Sequence, residues 1–302
     1  MTPSLLARHS VFSTCVVALV ILAVATLAHG QNGAVQQSES AEKLSDAGEA
    51  RTERLRELID RAKEGLVRIK AEIRDYECYL TKQERVEGKL REPQTLAVKI
   101  RHEVRDGDQV VKPFSVYLKF VSPEKVAGRE VIYVEGLRGG DLLARRGGRR
   151  NPNMTVQLAP DGPLAMDGHR YPVTEIGVII MVQRLIDVME TKFTTDECDI
   201  KIYENAKLDG RSCTHYELTM RERDDSGFMQ ARMFVDNEYR IPVYYAAYDW
   251  PRNDGEKATL LEQYAYRRVK LNVGLTDKDF DPGNPDYHFS EVKPLTDDEG
   301  DH

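Results

Sequence analysis

Residues Phe114 to Gly136 read FSVYLKFVSPEKVAGREVIYVEG. Phe114, Val116, Leu118 and Phe120 fall on every second residue, the period of a strand with one buried face. Ser122-Pro123-Glu124 interrupts the run, and Val131 to Val134 resumes it up to Gly136. The pattern predicts a strand, a short connection and a second, antiparallel strand.

The same period continues on both sides. Upstream, Tyr76, Cys78 and Leu80 alternate with Glu77, Tyr79 and Thr81. Leu96, Val98 and Ile100 alternate with Ala97, Lys99 and Arg101, which predicts one buried and one wet face. Downstream, the apolar runs CDIKIYEN, CTHYELTM, FMQARMFV, IPVYYAAYDWP and LLEQYAYRRVKL are separated by turn chemistry such as Asp209-Gly210. Short sequential connections favour a meander of neighbouring strands. Two stretches change to helical spacing. Leu55, Leu58, Ile59, Ala62, Leu66 and Ile69 form one apolar stripe, with charged residues opposite. Thr174 is a candidate N-cap for a second helix over 174–190, where Ile176, Ile179, Ile180, Val182, Leu185, Ile186 and Met189 cover more than one face. About eleven strands in one open sheet would curl or close. The expected fold is therefore α+β: a strongly curved antiparallel sheet with two or more helices packed on its concave face. A closed all-β barrel would leave the apolar second helix nowhere to go.

The ends read differently. Arg8 and His9, the apolar run Val11–Leu27 and Ala28-His29-Gly30 predict a signal peptide over 1–30, cleaved near Gly30. Residues 31–50 are small and polar and predict a disordered linker. One domain is expected over 51–289, with an acidic tail over 290–302. Export to the periplasm or cell envelope follows, with no integral membrane segment after cleavage. The formal net charge is −7, and loss of residues 1–30 makes it one unit more negative. That argues against nucleic-acid binding, which needs a positive footprint.

Cys78, Cys198 and Cys213 remain after cleavage, an odd count. A two-residue turn at Asp209-Gly210 would set Cys213 opposite Ala206 and far from Cys198, and the pairing stays open. There is no G-x-S-x-G elbow, H-E-x-x-H, Walker A or paired C-x-x-C, and no metal-ligand spacing of histidines. No catalytic residue, metal or cofactor is expected. Residues 137–150, LRGGDLLARRGGRR, read either as an anion-gripping tract or, more plainly, as a glycine-turned hairpin with solvated arginines. His169, Arg170 and Glu175 read either as a polar cluster at a cavity mouth or as helix capping and turn packing. Tyr244, Tyr245, Tyr248, Trp250, Tyr264 and Tyr266 read either as a ligand rim or as ordinary strand packing.

Four separated segments carry a resemblance: the opening stretch, HRYPVTEIGV, YDWP and EQYAYRRVKLNVGLTDKDFDPGNPDYHF. Over roughly residues 52–289 the chain resembles an uncharacterised family of exported proteins of unknown function, best known from planctomycete-type bacteria. That family is thought to be similar in fold to the periplasmic lipoprotein carriers LolA and LolB. The resemblance implies a half-open barrel of about eleven strands that holds acyl chains on its inner face. It implies that Leu96, Val98, Ile100, Val116, Leu118 and Phe120 line a cleft wall, with Ile179, Ile180 and Leu185 in a lid. The expected function is an exported, non-enzymatic binding protein for a lipid, acyl chain or lipidated partner. The alternative is a ligand-free structural or protein-interaction module of the cell envelope.

Overall fold

The computed structural model describes residues 31–149, 151–192, 198–223, 229–251, 253 and 255–290. The signal-peptide expectation and all but the first residue of the expected acidic tail lie outside these residues. The chain divides into two compact units, residues 1–45 and 46–302. The first helix, α1 (Gln31–Glu72), includes the backbone of the stretch read as a linker. Its apolar stripe behaves as its spacing predicts: Leu55, Leu58, Leu66 and Ile69 are buried, and Ile59 and Ala62 pack against the same core.

β1 (Asp75–Val86), β3 (Gln94–Arg101) and β6 (Ser115–Ser122) are neighbours, and β6 pairs with β7 (Glu130–Val134), then β8 (Leu142–Arg145) and β9 (Thr155–Leu158). On the other side of β1 lie β14 (Thr259–Leu271), β13 (Pro242–Asp249), β12 (Gln230–Asp236), β11 (Arg211–Met220) and β10 (Cys198–Leu208). β2 (Lys89–Leu90) also pairs with β1, giving a 12-stranded sheet, and β4 (Val104–Asp106) with β5 (Gln109–Lys112) forms a separate hairpin. Every pairing is antiparallel. The opening stretch folds as read, with Val116 facing Tyr133 and Leu118 facing Val131.

The expected strongly curved sheet and half-open barrel are not formed. The strand path ends at β10 and β9, which do not pair with each other, so the sheet is open rather than closed or strongly curled. Closure is one way to cover a wide sheet; helices and chain segments laid on its faces are another. On one face, α1 and α3 (Val178–Lys192) share a core with Cys78, Leu80, Val98, Ile100, Val116 and Leu118. On the other face, Tyr117, Ile132 and Val134 are buried under Phe280, Leu275, Tyr287 and Phe289. Tyr287 stacks on Tyr117 with ring centroids 4.0 Å apart.

That second cover corrects the expectation of a wet outer face. Arg101, on the polar phase of β3, is only 4% exposed. Its Nη1 meets Asp277 Oδ1 at 2.6 Å, its Nη2 donates to Ser115 Oγ at 3.0 Å, and its guanidinium lies over Phe280. The buried Glu130 accepts from Tyr117 Oη at 2.6 Å and pairs with Arg145 at 3.2 Å.

The second helix starts later than its sequence spacing suggests. Val173–Glu175 is a 3-10 turn, Gly177 turns the chain at φ 111°, and α3 begins at Val178. Tyr76 explains the break, because its Oη accepts the Val178 N–H at 3.2 Å. That hydroxyl satisfies one of the orphan donors of the first helical turn, so Thr174 is not the cap. The Asp209-Gly210 turn does set Cys213 opposite Ala206. Cys78 and Cys213 are buried thiols outside any disulfide.

Candidate functional site

The site is a cavity of about 860 Å³ between α3 and the sheet. Its sheet wall includes Leu80, Leu96, Leu118 and Phe120, and α3 contributes Met181, Leu185 and Val188. Leu142, Ala144, Val156 and Leu158 of β8 and β9 extend the apolar lining. Period-two alternation delivers these side chains to one face, and the absence of large side chains at Ala144 and Ala231 leaves room between them.

One end of the cavity is polar, and β1 shows why. Its buried phase runs Tyr76, Cys78, Leu80 and then continues as Lys82 and Glu84. Glu84 is 4% exposed and stands opposite Glu262 of β14, while Lys82 stands opposite Tyr264. Two carboxylates facing each other across a ladder repel, and buried ones need partners. Lys82 Nζ donates to Glu84 Oε2 at 2.7 Å, and Tyr264 Oη donates to Glu84 Oε1 at 2.6 Å. Burial pushes the Glu84 pKa up, but Lys82 and Tyr264 outweigh it and hold the group below its ordinary range. Burial pushes Glu262 up, and its ion pair with Arg170, at 3.0 Å, only partly offsets that. The two acids are thereby driven apart in acidity, with Glu84 ionised and Glu262 the readier to hold a proton.

The connection 167–177 crosses this end. Lys82 Nζ also donates to His169 Nδ1 at 2.8 Å. An ammonium has only protons to give, so Nδ1 accepts and the neutral ring carries its proton on Nε2. Burial, reinforced by Lys82, pushes the His169 pKa down to about 3. The Arg170 backbone N–H donates to Glu84 Oε2 at 3.3 Å, and Glu175 pairs with Arg184 of α3. The guanidinium of Arg184 lies over the ring of Tyr171, 3.9 Å from its centroid.

Of the residues expected to line a cleft, Leu96, Leu118, Phe120 and Leu185 border the cavity. Val98, Ile100 and Val116 are buried in the core beyond it, and Ile179 packs against that core. Ile180 is half-buried and borders neither the cavity nor that core. His169 and Glu175 border the cavity, and Arg170 reaches the same polar cluster through Glu84 and Glu262. Sequence reading missed Lys82, Glu84 and Glu262. The signal was present in β1, where two charged residues continue an apolar phase. Tyr245, Tyr264 and Tyr266 border the cavity, whereas Tyr244 hydrogen-bonds Gln263. His215 stacks between Tyr203 and Phe234.

Within the described residues 137–149 the chain turns at glycines. A Cβ on Gly147 would stand 2.1 Å from the Arg129 backbone N, so only glycine fits there. Among the described residues, no group of three or more His, Cys, Asp or Glu could hold a metal ion. No described helix is long and apolar enough to cross a membrane.

No curated protein matches the chain at a significant level. Solved structures give distant likenesses. A putative outer membrane lipoprotein-sorting protein domain from Vibrio parahaemolyticus is 11% identical, over 74% of this chain and 95% of that one, with a TM-score of 0.34. The MucA/MucB complex of Pseudomonas aeruginosa gives 13%, 74% and 61%, with a TM-score of 0.37. A LolA superfamily protein from Nitrosomonas europaea gives 12%, 73% and 97%, with a TM-score of 0.30. The sequence itself is more specific: residues 73–289 match the model of a family described as a protein of unknown function, DUF1571, and the chain belongs to that family.

Proposed function

We propose that this chain is a non-enzymatic binding or interaction protein that works after export. The N-terminal pattern of Arg8, the apolar run and Ala28-His29-Gly30 supports export. Within that role, the cavity carries the finer reading, in which an acyl chain or other apolar ligand lies between α3 and the sheet. A volume of about 860 Å³ falls in the range of small-molecule sites, and the lining is mainly apolar with polar groups at one end. Leu118, Phe120 and Leu185 would contact the chain. His169, Arg170 and Glu175 would stand at the polar end.

A second reading is a protein-interaction module with no small ligand. The edge strand β10 supports it, because among the described residues one side of that strand pairs with no other strand and Ile202 and Tyr203 are 44% and 46% exposed. Exposed edges of this kind accept an added strand from a partner. Native purification followed by lipid extraction and mass spectrometry separates the two. Co-purified acyl species are expected. A ligand-free protein that also binds no added dodecyl chain overturns the apolar-ligand reading and leaves the interaction module.

A further inference from the structure

Several cationic side chains border the cavity, and most have their own carboxylate. Lys82 is paired with Glu84, Arg145 with Glu130, and Arg184 with Glu175. Arg129 differs. No carboxylate lies within 4 Å of it among the described residues, and its side-chain hydrogen bond is a long one, from Nε to the Arg146 carbonyl at 3.4 Å. Its guanidinium lies over the ring of Phe120, 5.4 Å from the centroid, and Phe120 is itself part of the apolar wall. Burial lowers the Arg129 pKa; the acid that opposes this, Asp167, is exposed. A guanidinium half-withdrawn from water, on an aromatic ring and with no carboxylate in contact, costs free energy until an anion meets it. The position is imposed by the fold: the backbone N–H of Phe120 donates to the Arg129 carbonyl at 2.8 Å, and the close approach of Gly147 leaves that loop little freedom.

We propose that the cavity takes an anionic amphiphile, with Arg129 as the contact for its acidic head group and Phe120 beneath the first carbons of its chain. This rests on the apolar-ligand reading above and adds the sign of the head group and its location. Carboxylate and phosphate share the needed chemistry, since both accept two parallel N–H bonds from a guanidinium. The polar cluster at Glu84 and Glu262 already balances its own charges and does not compete for that anion.

Isothermal titration with dodecanoate, dodecyl phosphate and dodecanol tests this on the full chain, its Arg129→Gln and Arg129→Lys variants. The wild type is expected to bind at least one anionic ligand about tenfold or more tighter than the alcohol. Arg129→Gln should lose that preference while binding dodecanol unchanged, and Arg129→Lys should restore part of it. Whichever of dodecanoate and dodecyl phosphate binds tighter identifies the head group. Equal binding of all three ligands, or a preference that survives Arg129→Gln, overturns the head-group assignment and leaves the apolar-ligand reading intact. No binding of any dodecyl ligand overturns both.

Discussion

Gly177 is the residue on which the start of α3 depends. An added Cβ would stand 3.0 Å from Tyr76 Oη and 3.3 Å from Ile100 Cδ1, at a φ of 111° that side chains rarely adopt. Gly177→Ala is expected to cost about 1–3 kcal/mol in urea unfolding. Gly65→Ala in α1 is the control: nothing lies within 4 Å of its Cβ, and removing a helix-interior glycine should stabilise by about 0.5–1 kcal/mol. His169 gives a pH signature. Its folded pKa, about 3, lies below the unfolded value near 6.5, so the unfolded state binds the extra proton between them. Its contribution is fully present above about pH 6.5 and is lost as pH falls towards 3, with a slope of at most about 1.4 kcal/mol per pH unit. Glu262 has a raised pKa and acts in the opposite direction, so the difference between wild type and His169→Gln is what isolates the histidine. Between pH 7 and 5 the wild type should lose more stability than that variant; parallel profiles would show that folding leaves the pKa of the ring unchanged.

At the scale of elements, the segment after β14 acts as the cover of the outer face of β6 and β7. Asp75 receives it at its start, with the N–H groups of Gly274 and Leu275 both donating to the Asp75 carboxylate at 3.1 Å. Arg101 then holds Asp277 and Phe280, and Tyr117 stacks on Tyr287. Arg101→Met keeps the apolar stem but removes the ion pair, the Ser115 contact and the charge over Phe280. Because Asp277 is largely exposed, the expected cost is a modest 1–3 kcal/mol or about that. Limited proteolysis should cut the variant first within residues 272–290. An unchanged cleavage pattern would mean that the aromatic contacts alone hold the segment. The alternation of β6 showed its inner face plainly, yet the outer face also carries Tyr117, and across from it Ile132 and Val134. Nothing local announces which distant aromatics will cover them.

For the whole molecule, the open question of use turns on the space between α3 and the sheet. Ala144 borders the cavity from β8, facing Val131 and Val156 across its two ladders. Ala144→Trp fills that space from a rigid strand, and the expected result is a fall of about tenfold or more in binding of dodecyl ligands. The midpoint of thermal unfolding should stay within a few degrees, since filling a void removes no native contact. Unchanged binding would place any ligand elsewhere on the molecule.

The elements were legible from sequence because each rests on a local rule. Strand period, turn residues and the helical stripe of Leu55 to Ile69 are written in neighbours a few positions apart, and so is the Asp209-Gly210 register that sets Cys213 opposite Ala206. The same alternation puts Leu96, Leu118 and Phe120 on the buried face of their strands, while their place in a cleft wall came only from the resemblance. Three features required the tertiary structure. The sheet stays open because helices and the 272–290 segment cover its faces, which no strand pattern encodes. The polar end exists because Lys82 and Glu84 meet Glu262, Tyr264 and His169, residues 80 to 180 positions away that only strand pairing and the 167–177 connection bring together. The half-buried cation at Arg129 is visible only once Lys82, Arg145 and Arg184 have been matched to their acids and Arg146 is seen to lie exposed. Backbone preference acts between neighbours, whereas charge neutralisation and face coverage depend on which distant segments arrive, and that is decided by packing of the whole chain.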